Sequence, residues 1–146
     1  MRFYTALFVL LYLNSCTNEN LNTLESDFIE TLPQEWELSS MTLGMQPGNV
    51  SGEDLPYQET LVLKENNSFL KTRLTSDKTI TGEGTFSIKE DTPGTILVLE
   101  YDSETDLIES CTGEKLIEKF LVKDSNLLTG GSAACDGPGL LYKRKY

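Results

Sequence analysis

The 146-residue chain has no histidine, one tryptophan and three cysteines, and its 12 Lys and Arg face 23 Asp and Glu, for a formal net charge of −11. Each shortage excludes something. Without histidine the common general base near neutral pH is missing, and neither a Ser-His-Asp nor a Cys-His arrangement can be built. Thiols without imidazole leave a zinc shell incomplete unless carboxylates complete it, and no metal site is expected. The chain has no basic stripe to meet phosphates, which argues against nucleic acid as a partner. Among so many acids no glycosidase-like carboxylate pair stands out, and a solvated acidic surface accounts for them. Gly130-Gly131 and Asp136-Gly137-Pro138-Gly139 lack the strand–loop–Lys–helix context of a phosphate cradle and read as turns. Asp102-Ser103-Glu104-Thr105-Asp106 opens like a calcium loop. It lacks Gly at the sixth place, and Gly113 stands where a bidentate Glu belongs at the twelfth. No internal repeat or low-complexity tract is visible. The expectation is a protein that is not an enzyme and carries no cofactor.

A long apolar run is also absent. Phe3 to Leu13 is uncharged, but eleven residues of helix rise only about 16 Å against a hydrocarbon core of roughly 30 Å. Behind Met1-Arg2 and ahead of small residues, this run reads as a secretory signal. Leu13-Asn14-Ser15-Cys16 resembles the lipobox of bacterial lipoproteins, with Leu at minus three and a small residue at minus one before Cys. The resemblance implies cleavage before Cys16, lipid on its thiol and acylation of the new amino terminus with palmitate-like chains. Several chains matter because one alone holds a membrane only marginally. Residues 1–15 are then a signal peptide and residues 16–32 a lipidated tether to the cell envelope. Thr17-Asn18 after the Cys does not supply the Asp typical of inner-membrane retention, which points to the outer membrane. With Cys16 lipidated, Cys111 and Cys135 remain as a pair in an oxidising compartment. Their disulfide would add about 3 kcal/mol, the alternative being two free thiols.

In the tether, Leu21, Leu24, Phe28 and Leu32 fall on one helical face. That stretch is either a solvated spacer with a fragment of helix or a helix packed over one end of the domain that follows. From Pro33 the period changes to that of strands. Glu35–Thr42 sets Trp36, Leu38 and Ser40 against Glu35, Glu37 and Ser39. A long loop is expected from Gly44 to Pro56. Tyr57–Lys64 and Ser68–Leu74 flank the polar turn Asn66-Asn67 and read as a hairpin. Ile80–Lys89 alternates most strictly, with Gly82 and Gly84 on the buried side, where a bend or close packing is expected. Thr95–Tyr101, Lys115–Lys123, Asn126–Thr129 and Leu140–Lys145 complete eight strand candidates joined mostly by short turns. Strands without intervening helices, whose edges must be hidden, predict an all-β antiparallel barrel over residues 33–146.

An eight-stranded up-and-down barrel of this length is similar to the bacterial lipocalin-like lipoproteins. The likeness is carried by Trp36 in the first strand and Arg144 in the last. Cys135-Asp136-Gly137-Pro138 before Leu141-Tyr142-Lys143-Arg144, the Gly84–Ile88 strand and the Asn66-Asn67-Ser68-Phe69 turn add to it. The family's usual Gly two places before the Trp is Gln34 here. The resemblance implies that the Arg144 guanidinium covers Trp36 at the closed end, a contact worth about 0.5–2 kcal/mol. It also implies a small hydrophobic ligand within the barrel, lined by Leu61, Leu63, Phe69, Phe86, Ile88, Leu99 and Phe120. The same residues fit a filled barrel acting as an interaction or inhibitor module toward another envelope protein.

Overall fold

A computed structural model describes Phe28 and residues 31–146. The signal peptide, Cys16 and most of the tether lie outside the described residues. Nine strands form one antiparallel sheet: β1 (Gln34–Leu43), β2 (Gln46–Ser51), β3 (Gln58–Leu63), β4 (Ser68–Leu74), β5 (Thr79–Asp91), β6 (Gly94–Tyr101), β7 (Ile117–Asp124), β8 (Leu127–Gly131) and β9 (Gly139–Lys145). Each strand from β3 to β9 pairs with the next, and β1 closes the ring against β9, so β1 and β3–β9 make an eight-stranded barrel. Period-two patterning drives this. On β3, β4 and β7 every second side chain is buried, while the alternate ones face outward.

Two departures from the sequence expectations have physical causes. First, the segment expected as loop contains β2, a ninth strand. The first half of β1 pairs with β3 through Gln34–Glu37, and its second half pairs with β2 through Ser40–Leu43. Nearly every β2 side chain is exposed, so the strand carries no apolar period and only its backbone partners define it. Second, β1 changes face midway. A register shift between Leu38 and Ser40 against β9 puts Met41, not Ser40, in the core, and Ser39 Oγ donates to the Leu141 carbonyl at 3.1 Å. The turn expected around Asp136-Gly137 is present: a short 3-10 turn at Ala133–Cys135 precedes Asp136 in left-handed conformation (φ +65°), where the chain swings from β8 to β9.

The glycines on the inner face of β5 give room to aromatics. Gly84 stands between Phe69 on β4 and Tyr101 on β6, whose rings meet edge to face at 4.8 Å. A Cβ at Gly82 would approach the Tyr101 ring to 2.9 Å and Leu107 to 3.0 Å. This is the close packing expected on that face.

The barrel has two unlike ends. At one, the turns β3–β4, β5–β6 and β7–β8 gather with the start of β1. Phe28 stacks on Trp36 there at 5.9 Å, and Leu32 packs against the same cluster. Phe28 and Leu32 of the four periodic tether residues thus lie on the core, and Leu21 and Leu24 fall outside the described residues. At the other end the β6–β7 loop, residues 102–116, crosses the mouth, with Leu107 wholly buried beneath it.

Candidate functional site

The expected lining residues all belong to the core. Leu61, Leu63, Phe69, Phe86, Leu99 and Phe120 are buried, and Ile88 is half-buried against them. What fills the barrel beside them was not expected: Glu59, Lys71 and Glu118 are completely buried, and Arg73 nearly so. The pleat places them. Glu59 shares the inner face of β3 with Leu61 and Leu63, Lys71 and Arg73 share that of β4 with Phe69, and Glu118 shares that of β7 with Phe120. Glu59 stands opposite Arg73, Leu61 opposite Lys71, and Glu118 opposite Leu99.

The charges pair with one another. Lys71 Nζ lies 3.0 Å from Glu59 Oε1 and 2.9 Å from both Glu118 oxygens. Arg73 Nε donates to Glu59 Oε2 at 2.5 Å. The Tyr101 hydroxyl donates to Glu118 at 2.6 Å, and the Tyr142 hydroxyl donates to Glu59. The Phe120 and Tyr142 rings flank the ammonium at 5.5 and 5.9 Å. Two carboxylates thus meet two cations, the arrangement that makes buried charge tolerable. Burial raises the Glu118 carboxyl above its ordinary range despite the opposing pull of Lys71. Burial likewise holds the Tyr101 and Tyr142 phenols in their protonated form. Burial pushes the Tyr57 phenol up to about 12 against the lowering effect of Arg73, whose guanidinium lies 4.1 Å over that ring.

The cluster also holds the loop across the mouth. Lys71 Nζ donates to the Leu107 carbonyl and Arg73 Nη1 to the Asp106 carbonyl, both at 3.1 Å. The Glu109 amide donates to Glu118 Oε1 at 3.3 Å. The Asp102–Asp106 turn is therefore part of a strap across the barrel. Among the described residues no group of three or more metal-ligating side chains converges. Cys111 and Cys135 form a disulfide joining this strap to the β8–β9 connection. The Ser132 hydroxyl reinforces the joint by donating to Glu109 at 3.1 Å.

Trp36 and Arg144 are directly opposed across β1 and β9, but the contact between them differs from the one expected. Arg144 donates to the Thr31 carbonyl at 3.0 Å and lies over the Tyr146 ring, 5.7 Å away. Trp36 is sealed inside beneath Phe28, so the half-exposed guanidinium turns to the rim. Gln34, the residue that departs from the lipocalin pattern, bridges the two aromatics. It accepts the indole N–H of Trp36 at 3.0 Å and donates to the Phe28 carbonyl at 2.5 Å.

A signal for the charge cluster did exist in the sequence. Glu59, Lys71, Arg73 and Glu118 all occupy the inward parity of strands whose other inward residues are apolar, with signs that balance. What one chain's pattern could not supply was the pairing that brings three strands' charges to one point. Among the described residues, open grooves of about 320 to 490 Å³ lie on the outside of the barrel. One is bounded by Leu38, Leu55, Glu53 and Lys143 where β3 parts from β1. The fold and site define a closed antiparallel barrel with a charge-filled mouth. No protein-family model, curated protein or solved structure matches the chain.

Proposed function

We propose that this protein is a lipid-anchored, lipocalin-like interaction module of the bacterial envelope. Its barrel is a filled scaffold, and its recognition surface is the end crossed by the 102–116 strap. The observation that carries this reading is the buried, ion-paired cluster of Lys71, Glu59, Glu118 and Arg73 capped by Leu107. It occupies the space in which a lipocalin would hold an apolar guest. Inserting an apolar molecule there would strip paired charges of their partners, at several kcal/mol for each ion. Three of the four large apolar side chains exposed among the described residues support the surface reading, while the fourth, Tyr146, lies at the Trp36 end. Leu43 and Met45 at the β1–β2 tip and Leu74 at the end of β4 all belong to the strap end. Pro47 and Gly48 in β2 blunt its free edge, which directs recognition to side chains rather than to an added strand. Cys16 carries the acyl anchor, the outer membrane is the address, and the role is non-catalytic.

The test is native mass spectrometry of the full chain extracted from its own envelope in detergent. The expected species carries acyl chains, loses them together with membrane association in Cys16→Ser, and contains no guest. A small apolar molecule that co-purifies and leaves on denaturation would replace this reading with that of a ligand carrier.

A further inference from the structure

We propose that residues 105–109 occupy a peptide-recognition site in the barrel mouth as a built-in ligand, kept there by the Cys111–Cys135 clasp. Freed of the strap, the mouth accepts a peptide that turns as Thr105–Ile108 does, the Ile108 amide donating to the Thr105 carbonyl at 3.3 Å, and that bears a branched apolar side chain. The inference rests on the interaction-module reading and names its partner. The strap is held as a bound peptide is held, through its backbone. Lys71 and Arg73 donate to two successive carbonyls, those of Leu107 and Asp106. Glu118 accepts the amide of Glu109 two residues further on. Between these backbone contacts the Leu107 side chain enters an apolar well beside Tyr101 and Gly82, where the missing Cβ leaves the room. In peptide recognition main-chain hydrogen bonds supply affinity and a pocket for one side chain supplies selectivity, and the turn at Thr105–Ile108 presents both to the mouth.

Two buried polar atoms at the mouth lack a hydrogen bond. Arg73 Nη2 and the Tyr57 hydroxyl are buried without a hydrogen-bond partner among the described residues. Arg73 Nη2 stands 3.8 Å from Glu109 Oε1, too far for a hydrogen bond. They offer hydrogen bonds that the strap does not make and a better-fitting peptide can, the strap meeting Arg73 Nη2 only through the longer Glu109 ion pair. The clasp is accessible, since both Cys111 and Cys135 are exposed. A dithiol reductant opens it by exchange. The S–S bond breaks, each sulfur leaves as a thiol after taking up one electron and one proton, and the dithiol closes to its own disulfide.

The experiment uses the full chain in detergent and a fluorescent, end-capped peptide of residues 103–110, followed by anisotropy before and after dithiol treatment. Reduction is expected to tighten binding by at least ~10-fold, because it raises the fraction of open mouths. A peptide carrying Leu107→Asp is expected not to bind. Hydrogen exchange at the Glu109 amide is expected to rise on reduction, while the near-ultraviolet signal of Trp36 persists. Faster exchange without binding overturns the receptor, and unchanged exchange overturns the clasp. Equal binding before and after reduction, or to the Asp peptide, places the contact elsewhere and overturns the site. Loss of the Trp36 signal overturns it too, because the open form must remain folded. A co-purifying apolar guest in the mass spectrum would instead overturn the module reading.

Discussion

The two ends of the barrel solve one problem with opposite chemistry. At the Trp36 end, Phe28 lies on the indole, Gln34 ties the two together, and the interior behind them is apolar. Closure there is burial, which is non-directional and tolerant of small shifts. At the strap end, Leu107 is drawn in by Lys71, Arg73 and Glu118, and a covalent bond secures the loop that carries it. Closure there is directional, because every charge in the mouth relies on particular partners. An aromatic plug has no reason to leave. A strap held by polar contacts and one exposed disulfide can be released while the remaining core stays packed. The difference teaches which end of a closed barrel is free to respond.

The sharpest test removes the central group of each end. Lys71→Met leaves Glu59 and Glu118 buried without the cation between them and should cost about 3–5 kcal/mol in urea unfolding at neutral pH. Trp36→Ala should cost a similar 3–5 kcal/mol through lost burial and a residual cavity. Acidification then separates them, since protonating the stranded carboxylates should recover much of the Lys71→Met loss and none of the Trp36→Ala loss. Equal responses to acid would break the comparison.

Replacing both Cys111 and Cys135 by Ser should lower stability by about 3 kcal/mol in the same assay. The accompanying rise in hydrogen exchange should fall on residues 102–116 and leave the surroundings of Trp36 unchanged. Gly82→Ala pushes a methyl against Tyr101 and Leu107 and should cost about 1–3 kcal/mol, with the strap loosened first. The smallest effect is a slope. Glu118 holds its proton more firmly when folded than when unfolded. Its contribution to stability is therefore complete below the ordinary value of 4.5 and declines as pH rises through the raised folded value. Glu118→Gln should flatten the stability curve between acid and neutral pH, which thermal unfolding across that range would show.

Much of this architecture was legible in particular residues. The alternation from Ile80 to Lys89 appears as exposed and inward positions along β5, and Gly82 and Gly84 do make space for a close neighbour. Asn67, with φ +60°, turns the β3–β4 hairpin where Asn66-Asn67 was expected to. The Cys111–Cys135 disulfide is the pair expected once Cys16 is set aside as a lipid attachment point, and it rules out the alternative of two free thiols. β2 was not legible, since Gln46, Pro47, Gly48 and Asn49 carry no apolar period and the strand exists only because β1 offers it an edge. The shift at Ser39 was hidden for a similar reason, because a bulge changes the face without changing composition.

The mouth shows where the division falls. The parity of Glu59, Lys71, Arg73 and Glu118 was written in the chain, and so were the balance of their charges and the apolar residues around them. Sequence determined that these side chains point inward, because a strand's pleat is a local property with a fixed period of two. That they meet is a product of the closed sheet. Strand order and stagger bring β3, β4 and β7 to one depth, and a loop from elsewhere supplies the last partners. Contacts between residues far apart in sequence depend on the closed path of the whole sheet, which no local pattern encodes.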